Sequence, residues 1–166
     1  MEVLMELREI QLVDDPMGSQ VIILGESEGE RTFPIFIGQY EAIQLNLALR
    51  KEQFARPLTH DLVLNTIEAM GGRMNRVIVD DLRSSGGGGG TFYGKLAVTL
   101  ASGEEVLVDS RPSDAIVLAT KVGVPIYVDD SVLEQVCQPG GQSPEAEADE
   151  DGDDDGNDDG DEDGDD

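Results

Sequence analysis

Two segments of this chain place an arginine, a proline, a hydroxyl and an aspartate in the same order. They are Arg56-Pro57-Leu58-Thr59-His60-Asp61 and Arg111-Pro112-Ser113-Asp114, and each opens a stretch with helical patterning. A helix start exposes unpaired N–H groups and the positive end of the helix dipole. An arginine beside it therefore makes a seat for a phosphate or a carboxylate. On that reading Arg56, Arg111, Thr59 and Ser113 bind phosphate. Capping alone explains Thr59, Asp61, Ser113 and Asp114, because their oxygens accept from free helix N–H groups. It does not explain the arginines.

Four carboxylates, Glu41, Asp61, Asp109 and Asp114, stand at the ends of elements within apolar sequence rather than in solvated charge runs. Carboxylates so placed can hold Mg²⁺ or Mn²⁺ against a phosphate, where the ion activates water and neutralises the oxyanion. Asp61, Asp109 and Asp114 are the metal candidates. Glu41 is a catalytic base or a further ligand, or it only stabilises the first turn of its helix. His60 is the single histidine, which excludes sites built from several imidazoles. It is left as a proton-transfer group, a ligand, or a helix-start residue making a hydrogen bond. Cys137 is the single cysteine, so it can form no internal disulfide and offers no multi-thiolate metal cage, and a reducing interior is expected.

The elements that must position these residues alternate along the chain. Val3 to Val13 is rich in β-formers, Asp14 to Gly18 reads as a turn, and Val21 to Leu24 as a buried strand. After a turn at Glu26 to Glu30, Thr32 to Ile37 forms a third strand, in which Pro34 demands an edge or a bulge. Glu41 to Arg50 carries Ala42, Ile43, Leu45, Leu47 and Leu49 on a broad apolar helical face. Thr59 is expected to cap a second helix, with Val63, Ile67 and Met70 inward and Gly71-Gly72 as its stop. Arg76 to Leu82 and Phe92 to Leu100 read as strands around Gly86 to Gly90. That glycine run lacks the following Lys-Ser or Lys-Thr and the helix of a phosphate loop, so it reads as a flexible hairpin tip. Glu105 to Asp109 precedes a third helix with Ala115, Leu118, Ala119 and Val122 inward and Gly123 as its stop. Pro125 to Val128 is a short strand, and Asp130 caps a final helix, Ser131 to Val136. The order predicts an α+β fold, a mixed and largely antiparallel sheet packed with three main helices and a short C-terminal one.

Across 166 residues there are 36 acidic and 11 basic side chains, a formal charge of −25. This excludes a nucleic-acid binder that works by bulk positive charge. Fifteen of the acids fall between Ser143 and Asp166, where no base occurs and no apolar residue follows Ala148. Such a segment buries nothing to offset its ordering entropy, so residues 139–166 are expected to be a disordered acidic tail behind a domain of residues 1–138. Residues 1–142 still carry 21 acids against 11 bases, net −10, and only three of the bases are lysine. An acid-rich, lysine-poor body resembles proteins of salt-loving organisms. The first ten residues, charged at Glu2, Glu6, Arg8 and Glu9, do not pattern as an export signal, and the apolar runs are too short to span a bilayer. No membrane association and a cytoplasmic location are the expectation.

Three runs in order, Phe33-Pro34-Ile35-Phe36-Ile37-Gly38-Gln39-Tyr40-Glu41-Ala42, Arg56 to Leu62, and Val108-Asp109-Ser110-Arg111-Pro112-Ser113-Asp114-Ala115-Ile116, resemble the bifunctional nuclease family. The likeness spans roughly Met1 to Val136, and the composition resembles a halophilic archaeal member. It implies a compact α+β domain, often dimeric, in a family with members that cleave both DNA and RNA. The implied substrate is DNA and/or RNA and the implied assembly a homodimer. The glycine run and the acidic tail depart from the family pattern without touching the three motifs. Chemistry supplies the roles: Arg56 and Arg111 on the scissile phosphate, Asp61, Asp109 and Asp114 on the metal, and His60 and Glu41 for proton transfer. Two other readings use the same residues. One is a non-enzymatic anion-binding or regulatory domain. The other is a dimerisation module in which Arg56 and Arg111 pair with Asp61 and Asp109 in a buried ionic network.

The charge generates a prediction of its own. At low ionic strength the screening length grows and the body's 21 carboxylates repel one another, so stability is expected to fall as KCl is withdrawn from molar to millimolar concentrations. Unfolding midpoints across that range check it, and a flat profile would remove the halophilic reading.

Overall fold

A computed structural model describes residues 1–11, 18–84 and 90–137. The body of the Asp14 to Gly18 turn, most of the glycine run and the acidic tail lie outside the described residues. The described elements run β1 (Glu2–Gln11), β2 (Gln20–Glu26), β3 (Thr32–Ile37), α1 (Gln39–Leu49), α2 (Thr59–Ala69), β4 (Arg73–Ser84), β5 (Gly90–Thr99), β6 (Glu105–Ser110), α3 (Pro112–Val122), β7 (Ile126–Asp129) and α4 (Asp130–Val136). The strands form one sheet in the order β3-β2-β1-β7-β4-β5-β6. Every pairing is antiparallel except β4 with β7, so the expected α+β class with a largely antiparallel mixed sheet holds. Pro34 lies in β3 opposite Ile23, on an edge strand, where a missing N–H costs least.

Helix α3 organises the layer over the sheet. Pro112, Ala115, Ile116, Val117, Leu118 and Ala119 are all buried, because the helix is enclosed by β4 and β5 below and by α1 and α2 beside it. The sequence suggested a single inward stripe. The structure instead buries the first two turns almost all round and leaves Val122 exposed. Gly123 ends the helix in the left-handed region at φ 75°, which a residue without a Cβ adopts freely.

The entry to α3 depends on another glycine. Gly94 of β5 lies opposite Ser110 in the β5–β6 register. A Cβ there would stand 3.1 Å from the Ser110 carbonyl oxygen and 3.3 Å from the Pro112 backbone. Those neighbours are main chain and give little. The absence of a side chain at 94 is what lets the β6–α3 corner, and Arg111 within it, sit against the sheet.

Three helix readings change. Helix α1 buries only Ala42, Leu45 and Ala48, while Ile43 and Leu49 are exposed; its small-residue seam packs mainly on α3, so the buried stripe is narrower than the apolar pattern. The N-cap of α2 is Leu58, not Thr59, and Met70 at the far end is 79 % exposed. Helix α4 is capped by Asp129, whose carboxylate accepts from the Ser131 N–H at 2.9 Å, so Asp130 is its first residue. No described helix is long and apolar enough to cross a membrane.

Candidate functional site

The two Arg-Pro segments do not superpose. Arg111 is itself the N-cap of α3, with Pro112 in the first turn, whereas Arg56 stands two residues before the Leu58 cap of α2. What does coincide is the aspartate. Asp61 and Asp114 each occupy the third helical position, and they use it differently. Asp61 accepts from the Leu58 N–H at 2.9 Å and so caps its own helix. Asp114 turns outward to other side chains.

Asp114 receives the Arg111 Nε–H on Oδ2 at 2.8 Å and an Nη2–H on Oδ1 at 3.2 Å. The same Nη2 donates to Glu41 Oε1 at 2.8 Å, across from the first turn of α1. From α2, His60 Nε2 lies 3.1 Å from Asp114 Oδ1. Four of the predicted residues, Glu41, His60, Arg111 and Asp114, therefore meet where three helices begin. Exposure is graded across them: the His60 side chain is 11 % exposed, Glu41 18 %, Asp114 29 % and Arg111 65 %. Gly38 makes room for Glu41, since a Cβ at 38 would collide with Oε2.

Burial pushes the Asp114 carboxyl up, but the Arg111 hydrogen bonds and charge, joined by His60, outweigh it and hold the group below the usual carboxylate range. Asp114 is thus ionised near neutrality. An ionised carboxylate only accepts, so His60 Nε2 carries the proton in the bond between them. His60 Nδ1 is buried and makes no hydrogen bond among the described residues. Asp114, followed by Glu41, raises the Arg111 guanidinium in turn, which keeps it charged at every accessible pH. Arg111 Nη1 donates to no described residue, so one edge of the fork is left for an outside acceptor.

The remaining predicted residues lie elsewhere. Asp61 pairs with Lys121 of α3 at 2.9 Å, and that lysine, with the Leu58 N–H, holds its carboxyl below the ordinary value. Asp109 pairs with Lys95 across the β5–β6 register at 2.6 Å and is largely exposed. Arg56 is exposed and pairs with no described carboxylate. Thr59 is exposed and Ser113 half-buried, and neither side chain makes a hydrogen bond among the described residues. The buried network of Arg56 and Arg111 with Asp61 and Asp109 does not exist: lysines take both aspartates, and Arg111 is mostly exposed. Sequence reasoning missed Lys95 and Lys121 as partners. Lys95 becomes visible only once the strand register sets it opposite Asp109.

Among the described residues no group of three or more His, Cys, Asp or Glu is arranged to hold a metal ion. Glu41 and Asp114 share one cation, the guanidinium of Arg111, as Glu26 with Asp130 share Arg31 and Glu2 with Glu105 share Arg76 elsewhere on the fold.

Residues 22–139 match the bifunctional nuclease domain. The chain belongs to that family. Among curated relatives, an uncharacterized protein of Mycobacterium tuberculosis is 40 % identical over 123 residues, covering 74 % of this chain and 70 % of its own length. A rice protein named bifunctional nuclease 1, from Oryza sativa subsp. indica, is 27 % identical over 123 residues, covering 73 % of this chain but only 36 % of its own length. All four residues that meet at the helix starts of this bifunctional nuclease domain fall inside the matched span.

The lowered value at Asp114 fixes a sign. A carboxyl depressed in the folded state adds stability that is fully present above its unfolded value, near 3.8, and is lost as the pH falls through the folded value. Wild type is expected to lose stability below about pH 4 that Asp114→Asn does not lose, so the two stability curves converge in acid. Denaturant titrations from about pH 7 to about pH 2 measure this, and parallel curves would contradict it.

Proposed function

We propose that this domain hydrolyses phosphodiester bonds in DNA and/or RNA at the Glu41–His60–Arg111–Asp114 constellation. The observation that carries the reading is the Arg111 guanidinium, pinned by two carboxylates yet 65 % exposed, with Nη1 uncommitted at the head of a buried helix. A fork fixed in this way offers a phosphate a charged donor whose orientation is already set, so little is lost in ordering it when substrate arrives. Arg56, unpaired before α2, supplies a second contact to the backbone.

In the proposed reaction a water oxygen bonds to phosphorus while the bond to the leaving oxygen breaks. Glu41 takes the water proton, and the leaving oxygen takes one from solvent. Arg111 neutralises the charge that grows on the non-bridging oxygens. His60 acts through Asp114: its Nε2–H fixes the carboxylate that fixes the arginine, which makes it a positioning residue in this scheme. Mg²⁺ or Mn²⁺ assistance belongs to the same reading. Magnesium is commonly bound by one or two carboxylates together with substrate phosphates, and Asp114 would be the carboxylate to hold it here, leaving Glu41 as the base. The ion would add Lewis-acid stabilisation of the oxyanion. Asp61 and Asp109 are committed to lysines in the free protein.

For the homodimer implied by the family, the β6 edge offers a seam. Strand β6 is paired only on its β5 side and carries exposed Leu107 and Val108 at its centre, without the proline that blunts the opposite edge in β3. Antiparallel pairing of β6 with a second copy is isologous and self-complementary. Leu107→Lys is expected to convert the dimer to a monomer in sedimentation; an unchanged species would place the seam elsewhere.

Cleavage of labelled single-stranded and duplex DNA and RNA, with Mg²⁺ or Mn²⁺ titrated at high KCl, tests the central reading. Folded Arg111→Ala and Asp114→Asn are expected to lose at least about tenfold in rate, equivalent to about 1.4 kcal/mol of transition-state stabilisation. EDTA is expected to stop the wild type. Undiminished cleavage by both variants would refute the assignment, and absence of any cleavage would favour the anion-binding domain.

A further inference from the structure

The chain has four phenylalanines and three tyrosines. Five of these rings are buried or half-buried: Phe33 packs on Phe92 with centroids 5.7 Å apart, and Tyr93 is covered by the Arg83 guanidinium at 4.1 Å. The other two are open to solvent, Tyr40 at 80 % and Phe54 at 48 %. Among the described residues neither has a ring or a cation against it. Their places in the chain are not scattered. Tyr40 immediately precedes Glu41 in the first turn of α1, and Phe54 stands two residues before Arg56 in the segment leading to α2. Four Cα-to-Cα steps join Phe54 to the Leu58 cap, so the chain cannot carry it more than about 14 Å from the start of the helix that bears His60.

We infer that Tyr40 and Phe54 form a base-stacking subsite that selects unpaired nucleic acid at this site, an inference that rests on the phosphodiester reading above. The charge of the protein decides between substrate forms. A body of net −10 repels a duplex, whose phosphates lie at about one charge per 1.7 Å, twice the density of either strand alone. Affinity must then come from contacts that need no positive field. Stacking of bases on aromatic faces is such a contact, and only bases free of a duplex stack can reach a side chain in this way. It is also indifferent to the sugar, so DNA and RNA are treated alike. Arg56 and Arg111 supply the two phosphate contacts that set the strand's position.

The test is fluorescence anisotropy of the full chain with a labelled oligothymidylate, its abasic counterpart and a duplex of equal length, in EDTA so that nothing is cut. The oligothymidylate is expected to bind at least about tenfold more tightly than the abasic strand or the duplex. Tyr40→Ala and Phe54→Ala are each expected to weaken it about tenfold, while Tyr40→Phe and Phe54→Trp, which keep a ring, stay within about twofold of wild type. Two phosphate contacts predict a shallow log–log salt slope of about −1.4. Equal affinity for the abasic strand, no binding of any oligonucleotide, or alanine variants that change only the sedimenting species would each overturn the subsite; the last would make the two rings an interface between copies. The two readings separate cleanly. A strand held through Tyr40 and Phe54 but never cut supports the subsite and removes the nuclease. Cleavage by both alanine variants at the wild-type KM retains the nuclease and removes the subsite.

Discussion

A guanidinium held between two carboxylates fixes three helix starts at once. Arg111 and Asp114 belong to the first turn of α3, Glu41 to the first turn of α1, and His60 reaches Asp114 from the first turn of α2. Because these groups are partly exposed, the ion pairs contribute modestly to stability. Their larger effect is geometric. A planar fork with two of its nitrogens engaged cannot rotate freely, so the third points where the fold dictates. Two small residues make that geometry possible: Gly94 admits the β6–α3 corner to the sheet, and Gly38 leaves space for the Glu41 carboxylate.

Asp61 and Asp114 show how one sequence pattern yields two uses. Both are third-position aspartates, and both could cap. Asp61 does so because its own helix N–H and Lys121 lie within reach. Asp114 is drawn instead to the arginine that occupies its N-cap, and the half-buried setting strengthens that charge pair relative to water. The difference lies in the neighbours that tertiary packing delivers, Lys121 to one and His60 with Glu41 to the other.

Much of this architecture is legible in the chain. Strand alternation, the edge position of Pro34 and the stop at Gly123 follow from local chemistry, and the three motifs hold all four residues that converge. What local pattern could not give was breadth of burial and choice of partner. Helix α3 is enclosed on nearly every side, a fact about its neighbours, whereas the apolar Ile43, Leu49 and Met70 stay exposed to solvent. Asp109 looked like Asp114 in sequence because both flank Arg111. The pleat and register of β6 turn it to Lys95 instead.

The central claim is that Arg111, fixed by Asp114 and Glu41, receives the phosphodiester. Nitrogen-15 NMR of the arginine Nε–H and the His60 ring, during titration with a non-hydrolysable phosphorothioate dinucleotide, addresses it without requiring turnover. Saturable shifts of the Arg111 Nε–H and the His60 ring, both lost in Glu41→Gln/Asp114→Asn, are the predicted result. Binding that leaves both signals unmoved while resonances elsewhere on the surface shift would contradict it.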